Sequence, residues 1–90
     1  MAVKIKTSIP GPKSLLLAQR RSSSVAKGHG TVCNVYIEKA EGSLLEDVDG
    51  NIFIDFAGGI GTMNVGHSHP EILKRIKKQL DKYSHTCFSV

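Results

Sequence analysis

Apolar and polar positions alternate in two short runs on either side of Asp49-Gly50. "SLLEDV" precedes this pair and "NIFIDF" follows it. Alternation with a period of two is typical of a half-buried strand, and Asp-Gly favours a tight turn. The pattern therefore predicts a β-hairpin over residues 43–56. Its second strand carries an apolar face that needs a covering partner, formed by Ile52, Ile54 and Phe56.

The second clear pattern follows a glycine-rich stretch and has helical spacing. Either Ser68 or His69 can cap the helix, and Pro70 suits its first turn because the N–H that proline lacks has no partner there. Lysines and Arg75 occupy the opposite side, which we interpret as a solvated face. The pattern predicts an amphipathic helix over 69–83, whose apolar positions are Ile72, Leu73, Ile76, Leu80 and Tyr83.

The N-terminal third is less regular. Two prolines on either side of Gly11 favour an extended path, so residues 1–13 are predicted to form an arm. Ser14 can then N-cap a short helix that runs through Arg21, and a polar linker follows it. β-branched and aromatic residues favour an extended segment over residues 31–40. Together with the hairpin, these elements predict an α+β arrangement with a small antiparallel sheet.

Composition narrows the class of protein. Hydrophobic residues make up 40% and charged residues 22% of the chain, which is typical of a folded domain. The net charge of +4 is scattered and few aromatic residues lie among the basic ones, which disfavours nucleic-acid binding. No apolar stretch is long enough to cross a membrane, and the first residues lack a signal-peptide core. Cys33 and Cys87 show no metal-binding or disulfide spacing, so we expect a reduced, cytoplasmic setting.

The stretch "DFAGGIGTMNVGHSHP" joins the hairpin to the second helix and is the candidate for chemistry. No third ligand lies near His67 and His69, so no metal site is expected. Neither a phosphate-binding loop nor a nucleophile elbow matches the glycines. Glycines let the backbone approach a neighbour closely, and Ile60 is the one bulky side chain among them. Ile60 can therefore be a core residue or the wall of a pocket.

A resemblance extends this interpretation. The segments "IPGPKS", "QRR", "VAKGHGTV", "AEGSLLEDVDGNIFIDFAGGIG", "NVGHSHPEILKRIKKQL" and "HTCF" resemble the N-terminal part of the class III aminotransferases, which use pyridoxal 5'-phosphate. The resemblance implies an α+β N-terminal segment of a fold-type I enzyme that acts as a homodimer. Residues 14–90 would then form a small-domain segment that ends before the cofactor-binding domain.

The resemblance also implies a reaction, the transfer of an amino group from 4-aminobutyrate or a similar ω-amino acid to 2-oxoglutarate. The family's Schiff-base lysine and phosphate-binding residues lie downstream, so this chain is expected to supply no catalytic and no cofactor-binding residue and to be inactive alone. Ile60 matches a position that lines the substrate pocket. Ser89 stands where enzymes for 4-aminobutyrate can have glutamine. A stand-alone basic interaction module without catalysis is the alternative.

Overall fold

The computed structural model describes residues 2–89, so the last residue of the predicted 14–90 segment lies outside the described residues. Three helical elements and three strands follow one another along the chain. They are α1 (Pro12–Ser24), β1 (Ile37–Glu41), β2 (Leu44–Asp47), β3 (Ile52–Ile54), α2 (Gly58–Gly61) and α3 (Pro70–Leu80). The predicted α+β class is confirmed, with all strands in one antiparallel sheet of order β1-β2-β3.

The predicted hairpin corresponds to β2 and β3, which pair from Leu44 with Ile54 to Glu46 with Ile52. Its turn is closed by a hydrogen bond from the Gly50 N–H to the Asp47 carbonyl, 2.9 Å long. Only Gly50 of the Asp-Gly pair has a positive φ, 81°. The turn therefore places its single left-handed residue where glycine adopts that conformation without steric cost.

The predicted extended segment over 31–40 is a strand only in its second half, because β1 begins at Ile37 and continues to Glu41. β1 pairs with β2, and Gly42 and Ser43 connect the two strands. The pairing register shifts between Ile37 and Lys39. Residues 31–36 pair with no strand, although the Tyr36 carbonyl accepts a hydrogen bond from the Val48 N–H at 3.0 Å.

Helix α1 differs from its prediction at both ends. Gly11 is the N-cap and Pro12 begins the helix, so the assignment of Ser14 as N-cap is wrong. The physical reason is that a carboxylate distant in sequence satisfies the free N–H groups of the first turn. Asp49 accepts hydrogen bonds from the Lys13 N–H at 2.8 Å and the Ser14 N–H at 2.9 Å. The helix then continues to Ser24, three residues into the predicted linker.

Helix α3 begins at Pro70, one residue after the predicted start, with His69 in the N-cap position. The His69 side chain makes no capping hydrogen bond there, and the Ser68 hydroxyl instead donates to the Ala40 carbonyl at 2.8 Å. The helix ends at Leu80, three residues before the predicted end. Tyr83 lies beyond it, although its N–H still bonds to the Gln79 carbonyl at 3.1 Å.

The fully buried side chains among residues 2–89 are polar, those of Ser14, Asp47 and Asn51, and no hydrophobic side chain is buried there. The radius of gyration is 16.1 Å, whereas a compact chain of this length would have about 12 Å. The apolar face predicted for the hairpin is largely uncovered, with Phe56 91% exposed. The apolar face of α3 is also open to solvent, at Ile72, Leu73, Ile76 and Leu80.

Three side chains at the hairpin turn, Asp47, Asp49 and Asn51, form what we call the hairpin-turn cluster. The Asn51 side-chain oxygen accepts hydrogen bonds from the N–H groups of Lys6 and Thr7, at 2.7 and 3.0 Å. The Asn51 amide donates to the Thr7 hydroxyl and to Asp47, both at 2.9 Å. Asp47 also accepts from the N–H groups of Asp49 and Asn51. The cluster thus ties the N-terminal arm and α1 to the hairpin.

Candidate functional site

The glycine-rich stretch folds into a single turn, α2, in which four consecutive residues have positive φ angles. The values are 55° at Gly58, 60° at Gly59, 58° at Ile60 and 73° at Gly61. The ψ angles of Gly59 and Ile60, 31° and 62°, place both residues in the left-handed helical region. Glycine adopts this region readily, but a β-branched residue does so only as an outlier.

Ile60 is the exception in this turn, and its side chain is 90% exposed. A left-handed conformation at a non-glycine residue costs about 1–3 kcal/mol, and such strain is concentrated at functional sites. An exposed apolar side chain recovers none of this cost through burial within the chain. Within the described residues Ile60 therefore makes no core contact, and its assignment as the wall of a pocket stays a prediction.

Asp55 holds the start of the glycine turn. One of its carboxylate oxygens accepts a hydrogen bond from the Gly58 N–H at 2.8 Å. The other carboxylate oxygen lies 2.6 Å from Nε2 of His67. Hydrogen bonds from His67 and from the Gly58 backbone outweigh the effect of burial and lower the pKa of Asp55. The carboxylate is consequently ionised at neutral pH.

In the sequence, His67 is considered only as a candidate metal ligand, together with His69. Its ring instead pairs with Asp55, and its backbone forms a bridge with Gly42 through bonds of 2.8 and 3.0 Å. Gly66 permits this close approach, because a Cβ atom there would lie 3.0 Å from the Gly42 backbone. No pattern in the sequence indicates the Asp55 contact, since the two residues are 12 positions apart, at opposite ends of the loop between β3 and α3.

A metal site was not expected, and the described residues contain no group of three or more histidine, cysteine or acidic side chains that could hold a metal ion. Cys33 and Cys87 are both free and exposed. Within the described part of the chain, no helix has the length and apolar character needed to cross a membrane.

Pyridoxal phosphate, the cofactor implied by the resemblance, can be tested against the residues present. A Schiff-base lysine is activated by a desolvated pocket or a neighbouring cation. All nine lysines of this chain are exposed, and those of α3 lie along its solvated face. The described residues therefore contain no lysine in a desolvated pocket. That this chain supplies no cofactor-binding residue stays a prediction.

Comparison with known proteins identifies the class. The family model described as "Aminotransferase class-III" matches residues 24–90. Because this match covers most of the chain, the chain belongs to the class III aminotransferase family.

The chain is similar in sequence to aminotransferases named for 4-aminobutyrate and 5-aminovalerate. The chain is 39% identical over 87 residues to 4-aminobutyrate aminotransferase of Mycobacterium tuberculosis, a match that covers 97% of this chain and 19% of the relative. It is 47% identical over 74 residues to 5-aminovalerate aminotransferase DavT of Pseudomonas aeruginosa, covering 82% of this chain and 17% of the relative. The chain thus spans about a fifth of the length of these relatives.

Solved structures match the same portion. Acetylornithine aminotransferase from Elizabethkingia anophelis superimposes with a TM-score of 0.74 and 26% identity, covering 86% of this chain and 19% of that one. Taurine:2-oxoglutarate aminotransferase from Bifidobacterium kashiwanohense, solved in complex with PLP and glutamate, gives a TM-score of 0.68 and 26% identity, covering 86% and 18%. The fold is therefore that of an N-terminal aminotransferase segment.

Proposed function

We propose that this chain is the N-terminal segment of a pyridoxal-phosphate-dependent aminotransferase. The intact enzyme would move an amino group from 4-aminobutyrate or a similar ω-amino acid to 2-oxoglutarate. The names of the curated relatives, which act on 4-aminobutyrate and 5-aminovalerate, support the donor class. The relative solved with PLP and glutamate supports the cofactor and the acceptor.

The observation that carries the proposal is the exposed, left-handed Ile60 in the glycine turn. An ω-amino acid has a chain of methylene groups between its two charged ends. Burial of each methylene against an apolar wall contributes about 0.8 kcal/mol. In the proposed site Ile60 supplies that wall, and the flanking glycines leave room for the substrate beside the backbone.

The cofactor chemistry belongs to the remainder of the enzyme in this proposal. Bound pyridoxal phosphate would act as an electron sink for the carbanion formed at the donor carbon. This chain's own contribution is to bind and orient the apolar part of the donor through Ile60. Ser89 leaves the length of the preferred donor open, because enzymes for 4-aminobutyrate can have glutamine there. A cytoplasmic homodimer remains part of the proposal.

The alternative of a stand-alone basic module receives less support from the structure. A domain of this size needs its own hydrophobic core to offset the entropy of folding. No hydrophobic side chain is buried within residues 2–89, and the apolar faces of β3 and α3 are open. Such faces are typical of a segment that packs against a larger body.

A chimera tests the proposal directly. This chain would replace the matched N-terminal stretch of the M. tuberculosis 4-aminobutyrate aminotransferase, and glutamate formation would be measured with 4-aminobutyrate and 5-aminovalerate as donors. We expect turnover with at least one donor and a kcat/KM within about tenfold of the parent enzyme. The parent enzyme without its N-terminal stretch is the matched control and should be inactive. A chimera that folds and takes up the cofactor, yet transfers no amino group from either donor, would refute the proposal.

A further inference from the structure

The loop between β3 and α3 is attached to the rest of the described chain at its two ends. At the first end the Asp55 N–H donates to the Ser43 carbonyl at 2.8 Å. At the second end Gly42 and His67 exchange two backbone hydrogen bonds. Since Gly42 and Ser43 form the connection between β1 and β2, both ends of the loop meet at the same turn of the sheet.

One side-chain pair joins these two ends. The Asp55 carboxylate contacts His67 through one oxygen at 2.6 Å and the Gly58 N–H through the other at 2.8 Å. The pair is shielded from solvent, with side-chain exposures of 7% for Asp55 and 19% for His67. A single carboxylate thus links the second end of the loop to the first residue of the left-handed turn.

Within the described residues, the cavity beside the pair brings no further charged side chain to it. The small cavity beside it is lined, apart from Asp55 and His67, by residues that do not titrate: Gly42, Ser43, Gly58, Met63 and Gly66. His67 can donate its Nε2–H to Asp55 as the neutral imidazole or as the imidazolium. Because its pKa is lowered, Asp55 is ionised at neutral pH and can accept this hydrogen bond from His67.

We propose that His67 and Asp55 are positioning residues for Ile60, clamping the loop so that the strained left-handed turn presents its apolar side chain to the substrate. This inference rests on the proposed function, because it requires Ile60 to line the substrate pocket. A strained conformation persists only where the surrounding contacts over-determine it. The Gly58 N–H bond and the His67 contact supply that constraint at the start of the turn.

The first test uses the folded chimera and measures the clamp without reference to activity. Amide hydrogen exchange is followed at Gly61 and Thr62, whose N–H groups bond to the carbonyls of Ala57 and Gly58. His67→Leu removes the donor and should speed exchange at both amides about tenfold. His67→Gln keeps an N–H donor and should leave exchange within about twofold. His69→Leu is the matched control, because the His69 side chain makes no capping hydrogen bond, and should have no effect.

The second test uses the holoenzyme form of the chimera. His67→Leu should raise KM for the ω-amino acid about tenfold with kcat within about twofold, because a displaced Ile60 weakens binding in ground and transition state alike. His67→Gln should restore KM to within about twofold. Equal KM values in the Leu variant and the unaltered chimera would overturn the inference. An inactive unaltered chimera would refute the proposed function instead, while the exchange data would still decide whether the clamp exists.

Asp55→Ala covers the case in which His67→Leu does not fold. This substitution removes the acceptor for both the Gly58 N–H and His67. KM for the ω-amino acid should therefore rise about tenfold or more, as is expected for His67→Leu. A KM equal to that of the unaltered chimera would contradict the inference.

Discussion

The hairpin-turn cluster and the glycine turn are built on opposite principles. The cluster consists of polar side chains, and its two fully buried members, Asp47 and Asn51, each make several hydrogen bonds within the chain. The glycine turn has a strained backbone and an isoleucine that contacts solvent. The difference indicates that hydrogen bonds hold this segment together internally, whereas its apolar residues serve surfaces that lie outside it.

The largest effect is expected from breaking the cluster. Asn51→Ala removes the acceptor for two N–H groups of the arm and the donor to Asp47. Loss of a partner for buried polar groups costs about 1–3 kcal/mol per site, so roughly 3 kcal/mol is expected here. Amide exchange at Thr7 should accelerate about 100-fold. Ser24→Ala, at the exposed end of α1, is the control. Unchanged protection of Thr7 would mean that the cluster does not hold the arm.

A smaller effect is expected at the glycine turn, and it should appear in binding instead of folding. Ile60→Gln keeps the side-chain length but replaces the apolar wall with a polar group. Loss of contact with two to three methylenes, at about 0.8 kcal/mol each, should lower kcat/KM of the chimera for 4-aminobutyrate about 30-fold.

The thermal midpoint of the Ile60→Gln chimera should change little, because Ile60 has no core contacts in this chain. Steady-state kinetics and a thermal scan on the same preparation provide the two readouts. Full activity together with a lowered thermal midpoint would mean that Ile60 stabilises the fold and does not bind the substrate.

The smallest effect concerns pH. Burial acts to raise the pKa of Asp49, but hydrogen bonds from the Ser14 and Lys13 backbone outweigh it, so the pKa is lowered from its ordinary value of 3.8. A lowered pKa stabilises the folded state above that ordinary value, and the contribution is lost as the pH falls through the folded value.

NMR shifts of the Lys13 and Ser14 amides should therefore be constant from pH 7 to about 5 and change only below about pH 4. Asp49→Asn should make both shifts independent of Asp49 titration over that range. A transition of these two amides near neutral pH in the unaltered chain would contradict the assignment of Asp49 as the cap.

The elements that could be predicted from sequence are those with local causes. Alternation around Asp49-Gly50 and helical spacing after Pro70 depend on neighbouring residues, and both elements formed close to the expected positions. The cap of α1 was assigned to Ser14 because local capping is common, but the carboxylate came from Asp49, 35 residues further on than Ser14. Such a contact requires the hairpin to be in place and has no local signal.

The candidate site shows the same division. The glycines of residues 58–61 and the lone Ile60 identified a special turn from sequence, because glycine is the residue that left-handed backbone favours. The positive φ of Ile60 itself was not predictable, since isoleucine strongly disfavours it. The pairing of Asp55 with His67 was missed because it depends on a contact distant in sequence: the backbone of His67 pairs with Gly42 at the turn between β1 and β2. The assignment of Ile60 to the substrate remains a prediction.

The attachment of the N-terminal arm to the hairpin has a consequence for synthesis. Lys4 exchanges two backbone hydrogen bonds with Ile52, and Thr7 bonds to Asn51. Ribosomes add about 5–20 residues per second, so the arm waits about 2–9 seconds for its partner after it has been made. During that interval the backbone groups that bond to Ile52 and Asn51 have not yet met these partners. Once docked, the arm shields the outer edge of β3 from pairing with another chain at the point where Lys4 meets Ile52.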